Sequence, residues 1–163
     1  MYEEIISIAG EYLIYLLPFI GLAAWLVLPK QRKFRMAWHG MIAVGLGFLI
    51  AFIAGELVYN PRPFVTLNIE PIFYHEADNG FPSTHMLAAS LIAGVTYLSS
   101  RKFGIVMMIC AAAIGTSRVL AYVHSWTDIL ASALIVAISV FAAHWIVARL
   151  PKRIVYLGTT DPV

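Results

Sequence analysis

The stretch MAWHGMIAVGLGFLIAFIAGELVY, Met36 to Tyr59, runs for 24 residues with one carboxylate, Glu56, and one histidine, His39. Coiled as a helix it would be about 36 Å long, enough to cross the roughly 30 Å hydrocarbon core of a bilayer. Four more segments read the same way on either side of it: Ile5–Leu28 before, and His85–Ser99, Phe103–Tyr122 and Thr127–Ala148 after. His85–Ser99 is the shortest, so it either extends by a turn or packs inside the bundle away from lipid. The chain as a whole is 61% hydrophobic and 12% charged, with a mean hydropathy of +0.82. A soluble domain carries about a quarter charged residues, so the deficit points to lipid as the solvent. In lipid each span has to satisfy its own backbone polar groups, which makes it a helix. The expected fold is an all-α integral membrane protein, one domain over residues 1–163, built as a bundle of about five transmembrane helices.

The linkers set the expected orientation. Lys30, Arg32, Lys33 and Arg35 fall between spans one and two, Arg101 and Lys102 between three and four, and Arg149, Lys152 and Arg153 after five. With five spans these all share one side, which the positive-inside rule makes cytoplasmic. Glu3, Glu4, Glu11, Glu56, Glu70, Glu76, Asp78 and Asp128 lie toward the other side, and Asp161 alone accompanies the basic residues. The N-terminus is therefore expected outside and the C-terminus inside, in the plasma membrane. No cleavable leader is expected, because the first residues are acidic. The net charge of +2 does not suggest a nucleic-acid partner, and the lone Cys110 excludes an intrachain disulfide or a thiolate metal site.

Arg62 and Arg118 are the two basic residues left on the outer side. Arg62 opens the polar stretch NPRPFVTLNIEPIFYHEADNGFPS, Asn60–Ser83, whose prolines favour an ordered extended loop. Pro82-Ser83-Thr84-His85 closes that loop and starts the third span. Ser83 or Thr84 can cap the helix, whose free N–H groups form a ready anion site. Ser117 to Asp128 joins spans four and five and holds Arg118, His124 and Asp128. The i, i+4 spacing of His124 and Asp128 puts both on one helical face, where a carboxylate can orient the imidazole. His85 is a candidate proton donor, and the arginines suit phosphate oxygens. The inventory reads as a phosphoryl-transfer site.

Arg62-Pro63, Pro82-Ser83-Thr84-His85, and Ser117-Arg118 followed by His124 and Asp128 resemble the three signatures of the type 2 phosphatidic acid phosphatase superfamily, in order, across about half the chain. The resemblance implies His124 as a nucleophile forming a phosphohistidine, Asp128 as its partner and His85 as general acid. It implies Arg62, Ser83, Thr84 and Arg118 as the phosphate cradle, without metal or other cofactor. The family pattern begins with a lysine seven residues before the arginine, where this chain has Gly55 followed by Glu56. Either phosphate is held with one cation fewer or another group replaces the lysine. Within the superfamily, Arg62-Pro63-Phe64 and the run from His75 to Ser83 resemble bacterial undecaprenyl-diphosphate phosphatases of the bacitracin-resistance type. That implies a polyprenyl diphosphate substrate, met among membrane lipids on the outer face.

Other readings stay open. A phosphatase for phosphatidylglycerophosphate, phosphatidate or lipid A, or a phosphotransferase with a lipid acceptor, would use the same histidines. A small transporter would put ionisable residues deep in the spans. A vanadate-dependent oxidase shares the signatures but is typically larger and soluble. His39 and His144 read as structural, and His75 as a secondary candidate. Glu56 could pair with an arginine and tune the site, while Glu76 and Asp78 could recruit a cation. Small residues such as Ala89, Ala111, Ala112, Ala113, Gly45, Gly47 and Gly115 read as helix-contact positions.

Overall fold

A computed structural model describes residues 1–156, and Asp161 lies outside the described residues. The regular elements of the described residues are all helical: α1 (Tyr2–Ser7), a π-helical turn (Ile8–Tyr12), α2 (Leu13–Val27), α3 (Lys30–Leu57), α4 (Pro63–Leu67), α5 (Thr84–Ser99), α6 (Arg101–Leu120), α7 (Trp126–Arg149) and α8 (Lys152–Val155). Four stretches are long and apolar enough to cross a membrane: Tyr2–Val27, α3, α6 and α7. The fifth expected span, α5, has 16 residues and is about 24 Å long. It packs inside the bundle against α2, α3, α6 and α7, so it meets little lipid.

The basic stretch Pro29–Arg35 is not a linker. Only Leu28 and Pro29 separate α2 from α3, and Lys30 to Arg35 form the first turns of α3. Pro29 is already extended at the helix N-cap, a position its ring favours. The loop Asn60–Ser83 also holds more structure than expected, because Pro63 starts the short helix α4 and Asn68 ends it in the left-handed conformation.

Large apolar side chains such as Phe19, Phe52, Leu130, Leu134 and Phe141 face outward, while Thr96, Arg118, Asp128, Ser132 and Ser139 are buried. That arrangement suits a bundle solvated by lipid tails. Helices in lipid associate through close packing rather than water exclusion, so small residues matter. Gly47 faces Leu91, Gly94 faces Val140, and Gly115 faces both Ile129 and Met86, where an added Cβ would lie only 3.0–3.1 Å from the facing side chain. Gly45 has open space around it and Ala113 is exposed, so these two face lipid rather than a neighbouring helix, while Ala112 lines a groove between α5, α6 and α7.

Helix directions sort the charges. Ser100 alone joins α5 to α6, so the starts of α3 and α6 and the end of α7 share one end of the bundle. The other end carries α1, the long loop and the α6–α7 turn, held by Ile6, Phe73, Ala121 and Val123. The expected site residues lie at this second end.

Candidate active site

The end of α6 turns on Tyr122, whose φ of 62° is unusual for a residue with a side chain. Its carbonyl accepts from Phe64 N at 2.9 Å, which ties the turn to the start of α4. Val123 N and His124 N then both reach back to the Arg118 carbonyl at 3.2 Å. His124 therefore sits in a tight turn rather than on a helix, and the helical-face argument for pairing it with Asp128 does not hold. A capping box does the work instead. Ser125 caps α7, Asp128 Oδ2 accepts from Ser125 N at 2.7 Å, and Ser125 Oγ accepts from Asp128 N at 3.4 Å.

That box brings Asp128 Oδ2 to 3.5 Å from His124 Nδ1. The nearer acceptor is the Gly80 carbonyl, 2.9 Å from Nδ1. A carbonyl can only accept, so Nδ1 carries the proton and Nε2 holds the lone pair. Gly80 is shaped for this place: a Cβ there would meet Asn60 O at 3.2 Å and Asp128 Oδ2 at 3.3 Å. Asp128 is fully buried, and its Oδ1 accepts from Asn60 Nδ2 at 2.7 Å. Burial pulls the His124 imidazole below its usual value. The hydrogen bond to Asp128 raises it in part, the two arginines lower it further, and the net shift is downward.

Arg62 is 4% exposed and heavily engaged. Its Nε donates to Asp78 Oδ1 at 2.8 Å, Nη1 donates to the Val123 carbonyl at 2.7 Å, and Nη1 lies 3.2 Å from His124 Nε2. Asp78, rather than Glu56, is the carboxylate on this arginine, and Glu56 is exposed. Burial opposes ionisation of the Asp78 carboxyl, but the hydrogen bond and charge of Arg62 outweigh it and hold it below the usual range. Arg118 is the contrast. It is 1% exposed, its Nη1 donates to the Gly10 carbonyl at 3.2 Å, and its Nε and Nη2 are buried without a partner. Phe73 lies under the guanidinium, 5.4 Å from its carbon. Two free donors on one edge of a guanidinium form the fork that binds an oxyanion bidentately.

Ser83 caps α5 through Met86 N at 3.4 Å and is fully buried, while Thr84 is exposed on the first turn. The Ser83 carbonyl accepts from Ser132 Oγ at 2.9 Å, which fastens the start of α5 to α7. His85 follows within that turn, half-buried, within reach of the charges of Arg118, His124, His75 and Arg62. The structure thus gathers His85, His124, Asp128, Arg62, Arg118, Ser83 and Thr84 at one end of the bundle and leaves Glu56 outside the hydrogen-bonded set.

It also brings in His75, the secondary candidate, and adds residues that sequence reasoning missed. His75 packs edge-on to His124 with ring centroids 6.0 Å apart, and its buried Nδ1 has no partner. Burial first, then the charges of Arg62, Arg118 and His124, lower its pKa to about 4. Asn79 pins the loop to the end of α3, donating to the carbonyls of Gly55 and Val58 at 2.9 Å and accepting from Asn60 N and Phe81 N at 3.0 Å. Asn60-Pro61 and Asn79-Gly80 read as turn signals in sequence. Nothing in their spacing announces a hold on a carboxylate. At Gly55, the motif-lysine position, a Cβ would come within 3.2 Å of the Phe81 carbonyl, so the loop closes over α3 where a side chain would intrude. Among the described residues, no group of three or more His, Cys, Asp or Glu could hold a metal ion.

Below this end, α5, α6 and α7 enclose an apolar groove of about 480 Å³. It starts at Met86, next to His85, and extends to Leu98 and His144.

Residues 37–152 match the PAP2 superfamily, which is more than half of the chain. The chain belongs to the PAP2 superfamily. Two relatives align over most of their length. The bacitracin transport permease protein BcrC of Bacillus licheniformis is 30% identical over 151 residues, covering 92% of this chain and 74% of that protein. The undecaprenyl-diphosphatase BcrC of Bacillus subtilis (strain 168) is 31% identical over 136 residues, covering 83% of this chain and 69% of that protein. No solved structure matches. Membership in the superfamily, together with the apolar helices, makes this chain a membrane lipid phosphatase of the hydrolase class.

Proposed function

We propose that the protein hydrolyses undecaprenyl diphosphate, or a closely related lipid diphosphate, through a phosphohistidine and without a metal. The observation that carries the reading is the edge of Arg118: a buried guanidinium with two free donors, beside an imidazole whose Nε2 holds the lone pair. Leaving such donors unpaired in a buried site costs about 1–3 kcal/mol each, and a phosphoryl group relieves that cost. The relative in Bacillus subtilis named undecaprenyl-diphosphatase supports the choice of lipid.

In this reading Nε2 of His124 attacks the terminal phosphorus, and the N–P bond forms as the bridging P–O bond breaks. His85, charged once the anionic diphosphate lies beside it, protonates the departing lipid monophosphate. A water deprotonated by His85 then attacks phosphorus, releasing inorganic phosphate and restoring His124. Asp128 and the Gly80 carbonyl hold the Nδ1 proton and spread the positive charge that develops on the ring. Arg118 takes the phosphate oxygens bidentately, with the Thr84 N–H and Ser83 at the helix start. Arg62, already bound to Asp78, positions the turn and reaches the oxygens through Nη1. His75 is neutral at pH 7 and available to donate to the second phosphate group. The isoprenoid tail follows the groove that begins at Met86. The basic end faces the cytoplasm and the site opens outside, by the positive-inside rule.

Phosphate release in detergent tests this, with undecaprenyl diphosphate and phosphatidate as substrates and His124→Ala as control. Release from the diphosphate, abolished in the mutant and unchanged by EDTA, is the expected result. Release from phosphatidate alone moves the substrate to another lipid. Strong EDTA inhibition removes the metal-free mechanism. The name of the Bacillus licheniformis relative favours a second reading, transport of the peptide bacitracin. Peptide flux into vesicles without phosphate release would decide for it.

A further inference from the structure

At the end of the bundle opposite His124, α2, α3, α5 and α6 surround a second cavity of about 510 Å³. Arg32 and Arg35 enter it from the first turns of α3, and Arg101 and Lys102 from the start of α6. The same cations would satisfy the positive-inside rule spread over the surface, so their number alone carries nothing. Their convergence does. Two segments about 70 residues apart, by subtraction of their positions, deliver four cations to one concave site, and no carboxylate lines it. Like charges gathered around one concavity repel one another, and an anion between them relieves that repulsion.

Two further features point to a ligand. His39 lines the cavity, is 2% exposed, and has both ring nitrogens buried without a partner. One imidazole nitrogen always carries a proton, so an unfilled cavity leaves at least one donor unsatisfied. The 20-residue helix α6 also begins at the cavity rim, and Ser100 provides no side-chain cap for its first N–H groups. Open N–H groups at a helix start attract anions. Tyr97 and Leu98 line both this cavity and the apolar groove, so charged and apolar surfaces adjoin.

We infer that this cavity binds a phosphate-bearing anion, presented in the membrane by the headgroup of an anionic phospholipid in the leaflet opposite the catalytic end. The inference goes beyond the phosphatase reading and stands on residues that reading does not use. Arg32, Arg35, Arg101 and Lys102 surround the phosphate, His39 donates from the floor, and the lipid chains lie against the outer apolar face. Inorganic phosphate carries the same chemistry and is the other possible source.

Thermal unfolding of the purified full chain in a neutral detergent separates these. Dioleoyl phosphatidylglycerol, dioleoyl phosphatidylcholine and inorganic phosphate are added in turn to wild type and to the variant Arg32→Gln/Arg101→Gln/Lys102→Gln. All three side chains are exposed, so the variant keeps its packing. Phosphate held at the catalytic end shifts both chains equally and cancels in the comparison. The expected result is a midpoint several degrees higher with phosphatidylglycerol in wild type, most of it lost in the variant, and no such difference with phosphatidylcholine. A difference seen only with inorganic phosphate keeps the anion site and makes the free ion its source. Equal responses of both chains to both anions overturn the site. The milder Arg101→Gln/Lys102→Gln variant, expected to lose part of the shift, serves if the triple variant does not fold.

Discussion

The two site arginines differ in what already occupies them. Arg62 is bound by Asp78 and by the Val123 carbonyl, whereas Arg118 keeps an open edge. Arg118→Lys should therefore raise KM and lower kcat together, because an ammonium cannot reproduce the fork. Asp78→Asn should mainly loosen the loop, with the larger effect on thermal stability. Asp128 has three holds, from Ser125 N, Asn60 Nδ2 and the His124 ring. Asp128→Asn should leave the chain folded and reduce turnover by about 10²–10⁴-fold, measured as phosphate release. The pH dependence follows from His124. Its folded value lies below the usual histidine value of 6.5. The imidazole therefore stays neutral as pH falls through 6.5, and the acid limb of kcat/KM should lie below 6.5, at the lowered value. An acid limb centred at or above 6.5 would show that another group controls it. His75 acts on stability with the same sign. Between pH 6.5 and about 4 the unfolded chain takes up a proton that the folded chain refuses, so stability should fall across that window.

At the scale of elements, the α5–α6 hairpin turns on a single residue between helices. Gly104 lets α6 start directly against Tyr97, where a Cβ would press on the Tyr97 backbone, 2.7 Å from its nitrogen. The obstacle is main chain rather than a flexible side-chain tip, so it cannot move aside. Gly104→Ala should destabilise the bundle by about 3 kcal/mol or more, at the upper end of overpacking costs, read as a lower melting temperature in detergent. Gly80→Ala should behave differently. Its neighbours are Asn60 O, Asp128 Oδ2 and Arg62 Cγ, so the shift moves the groups that support His124. Turnover should fall by a larger factor than stability suggests, checked by pairing phosphate release with melting. A drop in stability alone would remove Gly80 from the site.

For the whole molecule, the charges fall into two sets at opposite ends, with four long apolar helices between them and α5 enclosed at the centre. If the basic end faces the cytoplasm, Glu76→Cys in the exposed part of the loop should react with a membrane-impermeant maleimide in intact cells. Labelling only after lysis would reverse the orientation. The long apolar runs determined a helical membrane bundle directly, since only helices can satisfy a backbone in lipid over such lengths. That Arg118, His124 and Asp128 share one end of the bundle was likewise legible, because the order of the spans places them there. The helical start of α3, the enclosure of α5 and the outward face of Gly45 were not, because they depend on which neighbour each surface meets. The same holds at the catalytic end. The His124–Asp128 pair arises from a capping box in a turn; Gly80 and Asn60 reach it from 44 and 68 positions earlier in the chain, His75 packs on His124, and Asn79 holds Asn60. A carbonyl that fixes a tautomer leaves no trace in residue type. Local periodicity therefore determined what solvates this chain, and only tertiary closure of the loop on the α6–α7 turn decided which atoms support His124.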